Sequence, residues 1–202
     1  MLLNDRAIRA LCLDEAIIKR KGLKGMPLIE PFSEAVKEGV ISYGLTHAGY
    51  DLRLGHRLLV FRGMKEVIDP KKFGDQDYRD RILKGVDGEA GKPFLLSPYT
   101  YALGFTLERL HIPTELKGRC VGKSTLARSG VLLNTTPLEP GWHGHLTLEI
   151  SNVTPCPAIL YPGEGIAQLE LETLLEPPEM CYGGKGGKYQ GQGPEPTPAR
   201  VS

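Results

Sequence analysis

Apolar positions first recur at helical spacing along this chain and then switch to alternation. Between Asn4 and Arg20, Ile8, Leu11, Cys12 and Ala16 fall three and four residues apart, which predicts one amphipathic helix capped by Asn4 or Asp5. SEAVKE, Ser33 to Glu38, follows a proline and predicts one more short helical piece. From Tyr50 onward period two dominates. DLRLG and HRLLVFR alternate, FLLSPYTYALGFTLERLHI reads as two strands about a Ser-Pro turn, and AILYPGEGIAQLELETLL as two strands about a Pro-Gly turn. In HLTLEISNV, Leu146, Leu148 and Ile150 share one face while Thr147, Glu149 and Ser151 share the other. Residues 69–93 are polar and predict a loop-like surface excursion. After Pro177 core periodicity ends, and a Gly/Pro/Lys/Gln-rich segment predicts a flexible C-terminal arm over about 177–202.

Composition sharpens this picture. Glycine (25) and proline (16) make up about a fifth of the 202 residues, which breaks the chain into short elements and favours β structure. Hydrophobic residues at 41% and charged residues at 24% exclude a disordered chain or a helical membrane protein. The expectation is one domain over 1–202: mainly β, a distorted barrel or jelly-roll-like body with an N-terminal helix and a mobile C-terminal arm. A net charge of +1 lacks the basic excess of a general nucleic-acid binder, yet a polyanionic small ligand needs only a few placed cations. No apolar run reaches membrane-spanning length and no signal-peptide core opens the chain. Cys12, Cys120, Cys156 and Cys181 stand far apart, as incidental thiols of a reduced chain do. The expected location is the cytoplasm, with neither nucleic acid nor membrane as partner.

Motifs narrow the chemistry. Zinc-dependent base deaminases carry H-x-E with P-C-x-x-C. None of the five histidines precedes a glutamate by two, and no C-x-x-C occurs, so no catalytic zinc of that kind is expected. His143 and His145 flank Gly144 and would point to one side of a strand; without carboxylates or thiols near them in sequence, a surface or subunit-contact pair is expected. GRCVGKS has three residues between its glycines where a P-loop needs four, which leaves Lys123 and Ser124 only as phosphate-contact chemistry.

Three features remain. KSTLAR, 123–128, packs two cations and two hydroxyls into six residues; its ordinary reading is a solvated basic turn. Glu149 follows the turn EPGWHGH in a half-apolar strand; its ordinary reading is a sheet-surface carboxylate. GGKGGKYQGQGP joins mobile glycines to Lys185, Lys188 and Tyr189, either as a closing segment over a phosphate-bearing ligand or as a disordered end.

In order and spacing, GKSTLARSG, VLLNTTPLEPGWHGHLTLEISN, YPGEGIAQLELE and GGKYQGQGP resemble the dCTP deaminases of the trimeric dUTPase-like superfamily. VISYGLTHAGYDLRLG and MLLNDRAIRAL resemble that family's early strand and first helix, so the likeness covers nearly the whole chain. It implies a homotrimer with sites between subunits, conversion of dCTP to dUTP and ammonia without zinc, magnesium held mainly by the triphosphate, and dTTP as a feedback inhibitor. Carried over by position, the triphosphate- and sugar-contacting loop is Lys123, Ser124, Thr125, Leu126, Ala127 and Arg128. The base-contacting strand is Thr147, Leu148 and Glu149, with Glu149 as the proton-shuttling carboxylate and Ser124 and Arg128 as its catalytic partners. Gln168, Tyr182, Lys188 and Gln192 match further nucleotide-contacting positions. The chain departs from the family where Glu139 stands for the more usual aspartate of the Pro-Gly-Trp turn, where Leu126 stands for a common tyrosine, and over the polar stretch 74–92. The alternatives are a dUMP-forming bifunctional enzyme or dUTPase, and a trimer that binds nucleotide without turnover.

Overall fold

The computed structural model describes residues 1–62, 67–89, 92–134 and 136–201. Two helices open the chain, α1 (Asp5–Leu13) and α2 (Glu15–Lys21). The strands are β1 (Ile29–Glu30), β2 (Gly44–Thr46), β3 (Gly49–Arg53), β4 (Arg57–Phe61), β5 (Leu83–Asp87), β6 (Phe94–Leu96) and β7 (Tyr101–His111). They continue with β8 (Leu116–Gly122), β9 (Val131–Leu133), β10 (Thr136–Leu138), β11 (His143–Asn152), β12 (Ala158–Leu160) and β13 (Gly165–Thr173). Helix α3 (Gln76–Ile82) lies between β4 and β5, and α4 (Ser124–Arg128) between β8 and β9.

One sheet runs β5-β4-β7-β11-β9 with β1 on the far end of β7, and a second runs β10-β8-β13-β3-β2. A small ribbon pairs β12 with β6. Among the described residues the ladders end in edge strands and do not close, so the body is the jelly-roll-like form of the expected fold and not a sealed barrel. The two sheets and α1 share one core: Leu52 of β3 and Leu54 just after it, Leu148 and Ile150 of β11, Leu169 and Leu171 of β13, and Ile8 of α1 are all buried. Burying such side chains contributes about 1.5–3 kcal/mol each.

The single helix expected at Asn4–Arg20 is two. Asn4 caps α1 by accepting from the Ala7 N–H at 3.1 Å. Asp14 then leaves helical geometry, because its carboxylate accepts from the Ala16 and Ile17 N–H groups and starts α2 afresh. The helical piece expected at Ser33–Glu38 does not form. Ser33 and Val36 give their carbonyls to Leu45 and Tyr43, and those cross-chain bonds replace a helix's internal ones. The excursion 69–93 is more ordered than a loop: Asp75 caps α3, and β5 pairs with β4 along its length. Residues 90 and 91 of that stretch lie outside the described residues. The Ser-Pro and Pro-Gly turns fall where expected, between β6 and β7 and between β12 and β13, although β12 pairs with β6 and not with β13. The arm is packed onto the body here, as described below.

His111 ends β7 at 1% exposure, with Nδ1 2.8 Å from the Pro27 carbonyl oxygen and its ring 6.2 Å from that of His143. His111 Nε2 and His143 Nδ1 are buried without a hydrogen-bond partner among the described residues. Burial holds both imidazoles below their ordinary pKa, and the positive charge of Arg109 adds to this for each. A depressed histidine pKa means that the unfolded chain binds more protons in acid. The stabilisation is therefore complete above about pH 6.5 and is lost as pH falls below it. Melting temperatures measured from pH 7.5 to 5 should fall on the acid side, and His143→Asn should flatten that limb; equal acid slopes for the two proteins would overturn the assignment.

Candidate active site

β11 is buried at every second residue over its whole length. Leu146, Leu148 and Ile150 enter the core, which leaves Thr147 and Glu149 on the opposite face, as the alternation predicts. That face opens into a cavity of about 360 Å³, which Thr147 and Glu149 line together with Glu139, Trp142, Tyr182 and Gln192. Phe61, Tyr101 and Phe73 give it an aromatic wall. Five of the residues singled out in the sequence thus meet in one place: Glu139, Thr147, Glu149, Tyr182 and Gln192.

Glu149 is held from the side by a residue that sequence reasoning missed. Asn134 Nδ2 donates to Glu149 Oε2 at 2.5 Å, and the Asn134 N–H donates to the Glu149 carbonyl at 3.1 Å. Asn134 stands in the NTTPLEP run that carried the resemblance, but only the return of β9 beside β11 brings it to a carboxylate fifteen positions away. Tyr101, paired with Ser151 across β7 and β11, has its hydroxyl pKa raised by burial and then by the Glu149 charge. Its phenol therefore stays protonated at neutral pH and faces the cavity as a neutral group.

The C-terminal arm closes the cavity's open side. Trp142 Nε1 donates to the Tyr189 carbonyl at 2.8 Å, and the Tyr189 N–H donates to the Tyr182 hydroxyl at 3.2 Å. Thr147 Oγ1 accepts from Gln192 Nε2 at 3.3 Å and from the Thr197 N–H at 3.0 Å. Gln192 runs beside Gly144, whose φ of 138° and lack of a side chain permit the approach: a Cβ there would stand 2.7 Å from the Gln192 nitrogen. Gly187 allows the Tyr182 ring closer still: a Cβ there would stand 2.0 Å from the ring.

A wider groove of about 780 Å³ continues from the cavity past Glu139, Tyr182 and Tyr189. Lys117, Lys185 and Lys188 line it, and Lys117 Nζ lies 3.4 Å from Glu139 Oε1. A chamber with an aromatic wall and two carboxylates, Glu139 and Glu149, therefore leads into a lysine-lined groove. Lys117 carried no motif, and its place in the groove follows from the pairing of β8 with β10.

The remaining candidates lie elsewhere in this chain. Ser124, Thr125, Ala127 and Arg128 are exposed on α4, outside the cavity lining, and Arg128 has no hydrogen-bond or ion-pair partner among the described residues. Leu126 is buried and serves packing. Lys123 pairs with Asp51 and donates to Ser42 Oγ at 3.2 Å, so its ammonium is already engaged. Leu148 is 3% exposed, which turns its side chain away from the cavity. Gln168 sits in β13 opposite Asp51 and Val121, near Lys123 and away from Glu149. One chain holds two half-sets: a carboxylate chamber on β11 and a hydroxyl-cation face on α4.

Comparison with known proteins identifies the family. The family model described as dCTP deaminase-like matches residues 12–174. A dCTP deaminase of Acidobacterium capsulatum is 45% identical over 177 residues, covering 87% of this chain and 91% of that one. One of Gemmatimonas aurantiaca is 44% identical over 184 residues, covering 90% and 95%. Among solved structures, the 2′-deoxycytidine 5′-triphosphate deaminase of Agrobacterium tumefaciens superposes with a TM-score of 0.58 at 22% identity, over 86% of this chain and 48% of that longer one, and so shares the fold. With Glu149 set in a chamber on the strand that the resemblance marked, and with matches that span most of its length, the chain belongs to the dCTP deaminase-like family.

Proposed function

We propose that this protein is a dCTP deaminase that hydrolyses dCTP to dUTP and ammonia. The observation that carries the reading is Glu149: a carboxylate fixed by Asn134, in an aromatic-walled chamber that opens onto a lysine-lined groove. In this reading cytosine would occupy the chamber and the triphosphate the groove.

In the proposed reaction, water adds to C4 while Glu149 takes its proton and passes one to N3. A second transfer moves the proton of the added hydroxyl to the amine, the C4–N4 bond breaks, and ammonia leaves as the water's oxygen becomes the new C4 carbonyl. Positioning replaces a metal as the means of activating water, which gives the contact from Asn134 to Glu149 its purpose. Ser124 and Arg128 supply a hydroxyl to orient the water and a guanidinium to oppose developing negative charge. Because α4 lies outside the chamber of its own chain, these two reach it from a neighbouring copy in a homotrimer. Magnesium would be held by phosphate oxygens of the triphosphate and by water, the hard oxygen donors it prefers. When bound, the ion neutralises triphosphate charge; Lys117, Lys185 and Lys188 would flank it. The same chamber and groove would accept dTTP as a competing feedback ligand. The enzyme would act in the cytoplasm, where its substrate pool lies.

Incubation with dCTP and magnesium, followed by separation of the products, tests the reading. Equimolar dUTP and ammonia are expected. Formation of dUMP and pyrophosphate would show the bifunctional chemistry, and nucleotide binding without ammonia would show a sensor.

A further inference from the structure

We propose that the polar excursion after β4 is the seat on which the C-terminal arm closes, and that Tyr78 is the positioning residue that holds this seat at the chamber. The proposal rests on the chamber being the nucleotide site.

Phe73, Tyr78, Ile82 and Leu83 are all buried, yet they form a cluster separate from the main core. Among the described residues, the partly buried hydrophobic ones that pack against that cluster are Leu59 and Phe61 of β4, and Ala199 of the arm. The arm's end is therefore apolar contact material for the excursion and not only a solvated tail. The same segment is tied to the other side of the chamber, where the Thr197 N–H donates to Thr147 Oγ1 at 3.0 Å. Arg200 fastens it to the arm's own base, its N–H to the Tyr189 hydroxyl at 3.1 Å and Nη1 to the Lys188 carbonyl at 3.0 Å. The arm thus spans the opening from β11 to the excursion, with Thr197 and Ala199 both in the chamber lining.

Tyr78 sets the far abutment. Its hydroxyl accepts from the Asp69 N–H at 2.6 Å and donates to the Val67 carbonyl at 3.2 Å, which clamps the backbone on both sides of Ile68. Its ring meets Phe73 edge-on at 5.5 Å. Ile68, Pro70 and Phe73 line the same chamber as Glu149. Freed from the clamp, Ile68 and Pro70 have no main-core packing to keep them in place. The wall would recede, water would enter, and Ala199 would lose its contact.

Tyr78→Phe keeps the ring in its cluster and removes both hydrogen bonds. The expected result is an unchanged melting profile, a KM for dCTP raised about tenfold, the size of effect a lost positioning contact carries, and a much smaller change in kcat. Trypsin should cut the nucleotide-free variant after Lys185 and Lys188 faster than it cuts the parent. Ala199→Asp approaches the contact from the arm and should do the same. The double variant should be little worse than either single one, since both remove one interaction. Wild-type KM and wild-type cleavage in Tyr78→Phe would overturn the proposal, as would a parallel fall of kcat and melting temperature, which marks general loosening. Cleavage needs no turnover, so faster cleavage in a protein that releases no ammonia would retain the seat and discard the deaminase reading. Normal turnover with unaltered cleavage would do the reverse.

Discussion

Glu149→Gln is expected to lower deamination by about 10²–10⁴-fold, the usual worth of a positioned general base, while dCTP still binds. The amide keeps the shape of the carboxylate and can still meet Asn134, but it cannot take a proton from water. Binding survives because the lysine-lined groove and the arm hold the triphosphate end. Since Glu149 faces away from the core, folding should be untouched. Ammonia release and dCTP affinity measured on one folded preparation separate the cases. A variant with near-normal turnover would reduce Glu149 to a surface carboxylate, and joint loss of folding and binding would make it structural.

Mixing two inactive variants should restore activity. Arg128→Ala and Glu149→Gln are each expected to be nearly inert alone. If a chamber draws Arg128 from a neighbouring copy, random reassembly at equal ratio leaves about a quarter of the sites with both native residues. Turnover should rise to about that fraction of the parent's, well above either variant alone. Absence of recovery, with mixed trimers shown to have formed, would place Arg128 and Glu149 within one chain's site and overturn the shared-site arrangement.

Much of this architecture was legible in the sequence where one face meets core and the other does not. The alternation over β11 placed Glu149 and Thr147 on the polar face, and Asn4 announced the first helix start. Asp14 was misread because a helical spacing continues across it; the break lies in a side chain that caps the next turn, which periodicity does not register. The excursion looked like loop because its few apolar residues serve a small core of their own. The signal was nonetheless present in Asp75 as a cap and in the four-residue step from Tyr78 to Ile82. The arm's packing was hidden for another reason. Trp142, Thr147 and Gly144 receive it through polar contacts and a missing Cβ, and neither leaves a hydrophobic period. The separation of α4 from the chamber was equally invisible, since closeness in sequence says nothing of where a short helix faces.

The alternation of β11 has an evolutionary side. Its even positions answer to the core, where exchanging Leu146, Leu148 or Ile150 for alanine would cost about 2–5 kcal/mol. On its other face, Thr147 and Glu149 answer to the chamber and to the arm that covers it. Mutations at Thr147 and Glu149 can therefore accumulate without drawing on the stability margin that limits most substitutions. A lineage built on this strand is free to try other pyrimidine chemistry one side chain at a time while the body beneath it stays folded.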